Sequence, residues 1–230
     1  MNFEFNEKTH RYYLDGKQMT GVTTILGILA KPALISWAAN MAVDYLKKNP
    51  EDWEGAKKAH ITKRDKAADT GTLMHAIAET MVKNAIKNTG GYITEEFTVD
   101  ESLSPEVSKM VGNFLNWAKG IKFLASEERV YHAELFYAGT FDFVCEIEGR
   151  KYIGDLKTSS GIYGKEYNFQ MAGYRKAMEY SNPELEKNIH GAIVVRCGKK
   201  GDFETKESFD YETDLQGFLA CLKLYRIINN

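Results

Sequence analysis

The stretch from Gly139 to Thr158 constrains this chain more than any other. It reads Gly139-Thr140-Phe141-Asp142-Phe143-Val144, then Glu148-Gly149, then Tyr152-Ile153-Gly154-Asp155-Leu156-Lys157-Thr158. Both arms are rich in aromatic and β-branched residues, the composition of strands. Glu148-Gly149 between them supplies the glycine that a tight reversal needs. Folding the arms about that point sets Asp142 opposite Asp155, because Asp142 lies six residues before Glu148 and Asp155 six after Gly149. Side chains opposed across an antiparallel pair have Cβ atoms about 4.5–5.5 Å apart. Two carboxylates at that separation repel unless a cation lies between them. Lys157, two residues beyond Asp155, projects from the same strand face. The pattern points to a divalent metal site with an ammonium beside it, an arrangement suited to phosphate-ester hydrolysis. The competing reading is an edge face turned to solvent, with Lys157 neutralising one aspartate.

A chain of 230 residues with 43% hydrophobic content is long enough for one domain with a substantial core. Thirty basic residues face 32 acidic ones, so polyanion binding has to rest on a local patch and not on net charge. The three cysteines, Cys145, Cys197 and Cys221, are too far apart for a CxxC metal site, and their odd number argues against a disulfide framework. No run of eighteen apolar residues occurs, and Met1-Asn2-Phe3-Glu4 does not resemble a signal peptide, so the expectation is a reduced cytoplasmic protein with no membrane association.

Along the chain, Arg11-Tyr12-Tyr13-Leu14, Asp15-Gly16 and Lys17-Gln18-Met19 form a hairpin pattern. Helices are predicted over 20–29, over 32–48 with Pro32 in the first turn, over 53–88 with a break near Asp69-Thr70-Gly71, and over 104–119. Strands follow at 129–135, 138–146 and 151–158, then a helix at 166–180, a buried strand at 191–195, an edge strand at 202–209 and a closing helix at 214–228. Sequential strands, a helix and a further buried strand imply an α/β fold with a mixed central sheet flanked by helices, the helical N-terminal half covering one side. One domain over 1–230 is expected, with the hairpin and helical part in 1–120 and the α/β part in 121–230.

Other residues fit a site around the aspartates. Gln170 and Tyr174, at i and i+4, share a helix face. The glutamine is able to bond a phosphate, a base edge or a metal-bound water, and the tyrosine to stack on a base or donate to phosphate. His75 follows Gly71-Thr72, with Thr72 a possible helix cap, and Glu79 lies one turn further on as a partner or additional ligand. Each is also compatible with ordinary packing or surface. Lys57, Lys58, His60, Lys63, Arg64 and Lys66 form the densest basic cluster, either a solvated helix face or a phosphate-gripping patch. Ser159 and Ser160, just past Lys157, are placed either to bond phosphate oxygens or to end a strand.

The ordered set resembles the PD-(D/E)XK nuclease superfamily, and within it the RecB-like exonucleases. It carries Gly71-Thr72-x-x-His75 on a helix, Asp142 in one strand, Asp155-x-Lys157 in the next and Gln170-x-x-x-Tyr174 on the following helix. It is most similar to phage-type exonucleases and the mitochondrial genome maintenance exonuclease family, to which the segment Gly21-Val22-Thr23-Thr24-Ile25-Leu26 is also similar. The resemblance implies a restriction-endonuclease-like core and a Mg²⁺- or Mn²⁺-dependent exonuclease acting on DNA with a free end. By motif position it makes His75, Asp142 and Asp155 metal ligands. It has Asp155 orient the attacking water, and Lys157 stabilise developing charge or assist that water. Gln170 and Tyr174 correspond to the family's motif after the active-site strand. Apart from the resemblance, Lys63, Arg64, Ser159 and Ser160 are the candidate nucleic-acid contacts. An aspartate stands before the lysine where many members have glutamate, and Phe141 stands where a proline is usual. Three scattered cysteines fit no iron–sulfur cluster. A structure-specific or restriction-like endonuclease, and a nucleic-acid-binding module without catalysis, are the alternatives.

Overall fold

The computed structural model describes residues 1–94 and 103–229. The first elements are β1 (Phe3–Asn6), β2 (Arg11–Leu14), β3 (Lys17–Gly21), α1 (Val22–Leu26), α2 (Pro32–Lys48), α3 (Trp53–Asn88) and α4 (Pro105–Ala118). The meander β4 (Lys122–His132), β5 (Tyr137–Ile147) and β6 (Arg150–Lys157) follows, and then α5 (Glu166–Ser181), α6 (Pro183–Glu186), β7 (Ile189–Cys197), β8 (Phe203–Ser208) and α7 (Tyr211–Asn229). Among the described residues the eight strands form one mixed sheet and seven helices flank it, an α/β architecture.

Local chemistry sets the element ends. Both two-residue hairpin turns put their central residues at positive φ, Asp15 at 48° with Gly16 at 76°, and Glu148 at 50° with Gly149 at 77°. That is the conformation that Asp-Gly and related pairs adopt most readily. Proline opens α2 and α4, where its missing N–H costs nothing. Ser104 caps α4 by accepting from the Val107 N–H, and Asp52 caps α3 by accepting from Gly55.

The sheet is organised around β5. One edge of β5 pairs with β4 along most of its length, from Lys122↔Glu146 to His132↔Tyr137. Its other edge is shared: β6 runs antiparallel to it from Ile147↔Arg150 to Phe143↔Gly154, and β3 runs parallel to it at Thr20↔Tyr137 and Gly21↔Ala138. Residues 139–142 therefore lie in a fork where β6 has left and β3 has not yet joined. Beyond β6 the order continues through parallel β7 to edge strand β8.

Two apolar layers fill the faces. Val22, Ile25, Tyr137, Phe141, Val144, Ile153, Met171, Tyr174 and Phe218 form the layer under α1, α5 and α7. Met74, Val82, Met110, Phe114, Phe143, Cys145, Leu156 and Val195 form the layer under α3 and α4. Tyr137 and Phe141 face the first layer, but Phe143 and Cys145 face the second. Because a regular strand keeps alternate residues on one face, β5 must rotate between Phe141 and Phe143, which is where the fork opens.

Several elements depart from the sequence reading. The break near Gly71 is absent: α3 runs through it, and Thr72 caps nothing. The first meander strand begins at Lys122, earlier than expected, and β1 and α6 were not anticipated. Of the long helices α2 to α4, only the second half of α3 and α4 cover the sheet. No residue of α2 is buried. The meander joins the same sheet, since β3 pairs with β5.

Candidate metal centre

Asp142 sits at the mouth of the fork. The rung joining it to Asp155 continues the register of Phe143↔Gly154 but is open. The Leu156 N–H donates instead to Asp142 Oδ2 at 2.6 Å, so the carboxylate side chain replaces a ladder carbonyl. The two aspartates are thus neighbours across the strands, as the sequence suggested, with Asp142 turned into the fork.

His75 approaches from α3. Gly71, one turn before it, is buried in the middle of that helix, and a Cβ there would lie 2.8 Å from Thr158 Oγ1 at the end of β6. Glycine is unfavourable in a helix interior, but here it lets α3 approach the sheet closely. That approach brings His75 Nδ1 to 3.5 Å from Asp142 Oδ2.

Sequence reasoning missed the third member, Glu127. Its register in the β4–β5 ladder, between Ser126↔Phe143 and Glu128↔Phe141, sets it across from Asp142. Its backbone takes φ 52° in mid-strand, a conformation that non-glycine residues seldom adopt. One ligand atom each from His75, Glu127 and Asp142 lies within 4.8 Å of the others. Ligands about 2.1 Å from a Mg²⁺ ion are at most about 4.2 Å apart, so closing on an ion takes a shift of about half an ångström. The only available signal was positional: counting back through the β4–β5 turn from Asp142 arrives at Glu127. Nothing in Ser126-Glu127-Glu128 distinguishes it chemically.

Asp155 is 2% exposed and approached from the other face. Gln170 Nε2 on α5 donates to its Oδ1 at 3.0 Å and to Tyr174 Oη at 3.2 Å. Lys157 Nζ lies 2.5 Å from Asp155 Oδ2 and 5.3 Å from the Tyr167 ring centroid. That Oδ2 is buried, and the Lys157 ammonium is its close partner. Tyr174 packs against Gly139, where a Cβ would come within 2.3 Å of its ring. Gln170 and Tyr174 are both buried, so they position Asp155. The expectation that they bond a phosphate or stack on a base does not hold for this geometry.

The electrostatics follow from crowding. Burial raises the Asp142 pKa and the charge of Asp155 raises it further. His75, Lys157 and the Leu156 N–H pull it back, leaving it at about 6. Glu127 is pushed up to about 8, first by burial, then by Asp142 and Glu79, against the opposing charge of Lys83. Burial opposes the charge on Lys157, but Asp155 and Asp142 outweigh it, and its pKa is raised. Lys157 is therefore held as an ammonium. An imidazole and carboxylate oxygens are ligands for Mg²⁺ or Mn²⁺. A divalent ion would offset the repulsion that raises both acids, so the residues fit the group.

The remaining expected residues lie elsewhere. Glu79 pairs with Lys83 at 2.5 Å and reaches the site only through its charge on Glu127. Lys63 and Arg64 are exposed, twelve and eleven residues before His75 and thus about 18 Å away along the helix. Arg64 is paired with Asp65 at 2.9 Å, and Lys57 with Glu54 at 2.7 Å. Ser159 donates to the Gly161 carbonyl, and its own carbonyl accepts from Arg196, so it shapes the loop after β6; Ser160 is exposed. No helix among the described residues is long and apolar enough to cross a membrane.

A scan of the chain against protein-family models gives no match, and a search of curated proteins gives none either.

Proposed function

We propose that this chain is a Mg²⁺- or Mn²⁺-dependent deoxyribonuclease that hydrolyses phosphodiester bonds from DNA ends. The observation that carries the reading is the convergence of His75, Glu127 and Asp142 on one point beside the buried Asp155–Lys157 pair. Outside metal binding, three carboxylates crowded at one fork have no stabilising purpose, since their mutual repulsion costs stability. The order α4, β4–β5–β6 meander, α5, parallel β7 supports a restriction-endonuclease-like core, and the motif order supports a RecB-like member of the PD-(D/E)XK group.

In this reading His75, Glu127 and Asp142 would hold the ion, whereas Asp155, expected as a ligand, is engaged by Lys157 and Gln170. A divalent ion in such a site supplies a water of lowered pKa and a counter-charge for phosphate oxygens. Asp155, fixed by Gln170 at Oδ1 and paired with Lys157 at Oδ2, orients the water. Lys157 stays protonated and offsets charge developing on the phosphate, in place of acting as a base. The layers beneath α3 and α5 wall the fork on both faces and keep bulk water from the pair.

The test is a digest of end-labelled linear DNA and covalently closed circular DNA with Mg²⁺, Mn²⁺ or chelator. Linear DNA is expected to be degraded only with metal, and closed circles to survive. Cleavage of closed circles would favour an endonuclease, and no metal-dependent cleavage of either would refute the reading.

A further inference from the structure

A cationic group adjoins the metal centre on the same face of the sheet. Phe141 faces the layer under α1, α5 and α7, so Thr140 and Asp142 on either side of it turn to the opposite face, from which His75 approaches. Arg129 lies directly across the β4–β5 ladder from Thr140, two residues after Glu127. Tyr12 reaches the same place from β2, with its Oη 2.9 Å from Thr140 Oγ1. The Phe5 ring closes the group, 4.9 Å from the Tyr12 ring and 4.3 Å from Arg129 Cζ. Burial raises the Tyr12 pKa, and beyond the Thr140 hydrogen bond the groups whose charge acts on it are Arg129 and Glu127. No helix among the described residues contributes to the small apolar cluster on this face, Leu14, Met19 and Ala138 with Phe3, Tyr12 and Tyr131 against them.

The donors here suit an oxyanion. Arg129 pairs with Glu7 Oε1 at 3.0 Å, but the two side chains are 43% and 78% exposed. Such a pair contributes about 0–1 kcal/mol. A phosphate gives a guanidinium a bidentate partner, and Phe5 against the guanidinium holds its plane and leaves its N–H edges for oxygen. Tyr12 and Thr140 use one hydroxyl proton in their mutual bond, which leaves the other free to donate.

We infer that Arg129, with the Tyr12 and Thr140 hydroxyls beside it, binds a backbone phosphate of the substrate strand one or two places from the phosphate being cut, an inference that rests on the nuclease reading above. The spacing fits. Thr140 and Asp142 are two strand residues, about 7 Å, apart, and two nucleotide steps of 3.4 Å cover about the same length. Glu7 holds the guanidinium between substrates and gives way to the phosphate.

The experiment first maps the cut on labelled linear DNA with Mn²⁺. The linkages one and two places from it on either side are then replaced singly by neutral methylphosphonates, and a terminal phosphate that falls in this range is removed. Neutralising one of these phosphates is expected to raise the parental KM about tenfold with kcat little changed. Arg129→Gln should raise KM on unmodified DNA by a similar factor, lower the salt slope by about one, and be indifferent to that same neutralisation. Arg129→Lys, which keeps the charge but not the planar fork, should recover part of the loss. Glu7→Gln should lower KM about two- to threefold, and only where Arg129 is present. A parental KM in Arg129→Gln, or equal sensitivity of parent and variant to every neutralised phosphate, would overturn the phosphate site and leave the nuclease reading standing. A gain from Glu7→Gln that persists without Arg129 would overturn the exchange of Glu7 for phosphate. A parent that cuts no DNA with metal would end the nuclease reading and this inference with it.

Discussion

At the scale of single residues, Glu127 links the site to stability. Its folded pKa of about 8 stands above the ordinary carboxylate value of 4.5. Between those values the native state binds more protons than the unfolded chain, so metal-free stability falls as pH rises from about 4.5 to about 8. The full effect is at most a few kcal/mol, reduced by partial exposure. Glu127→Gln should flatten this fall and make the metal-free protein more stable than the parent at pH 8. Mn²⁺ should stabilise the parent more at pH 8 than at pH 5, and the variant much less at either. Urea melts at the two pH values, with chelator and with Mn²⁺, measure this. A variant with the parental pH profile and parental Mn²⁺ response would remove Glu127 from the centre. Asp155 needs a different account from the simple repulsion read in the sequence. Relief of repulsion alone suggests that Asp155→Ala leaves stability unchanged or raised. The structure shows that Asp155 also holds Lys157 and Gln170, so its removal strands a largely buried ammonium.

Among elements, α3 is the one whose placement decides the site. A glycine in mid-helix sacrifices about 1 kcal/mol relative to alanine, so Gly71→Ala on an exposed helix would stabilise. Here the added methyl meets Thr158 Oγ1 at 2.8 Å. We expect Gly71→Ala to move α3 off the end of β6 and carry His75 away from Asp142, weakening Mn²⁺ binding about tenfold. Thr158→Ala vacates the space, so the double variant should recover most of that affinity. Calorimetric titration of the four proteins in the double-mutant cycle reads the coupling. Strict additivity would show that Gly71 and Thr158 do not set the position of His75. The continuity of α3 was not legible from sequence because the same glycine that permits close packing reads locally as a helix breaker. Which of those it is depends on a strand some ninety positions away. The hairpins, by contrast, were legible, since Asp15-Gly16 and Glu148-Gly149 adopt their turns through their own backbone preferences.

For the whole molecule, stability is expected to be uneven. Strands β5, β6 and β7 lie between the two apolar layers, whereas the β1–β2–β3 meander joins β5 at two residue pairs and α2 buries no residue. Native-state hydrogen exchange should find the slowest amides in β5–β7. Faster, sub-global opening is expected for α2, the first half of α3 and the meander. Uniform protection across all of these would show one cooperative unit.

The sequence by itself determined the β5–β6 hairpin, its two aspartates, the lysine beside the second, and the α/β order of elements. Those features follow from turn chemistry, strand periodicity and the local spacing of side chains, all of which act over a few residues. Tertiary structure alone decided that Glu127 joins His75 and Asp142, because that contact depends on how β4 registers against β5 and on a backbone twist in mid-strand. It alone decided that Gln170 and Tyr174 face inward, because one face of a helix is indistinguishable from another until its packing partner is known. The basic cluster on α3 was the most visible charge feature in the sequence and proved remote from the site, since a helix converts twelve residues into about 18 Å.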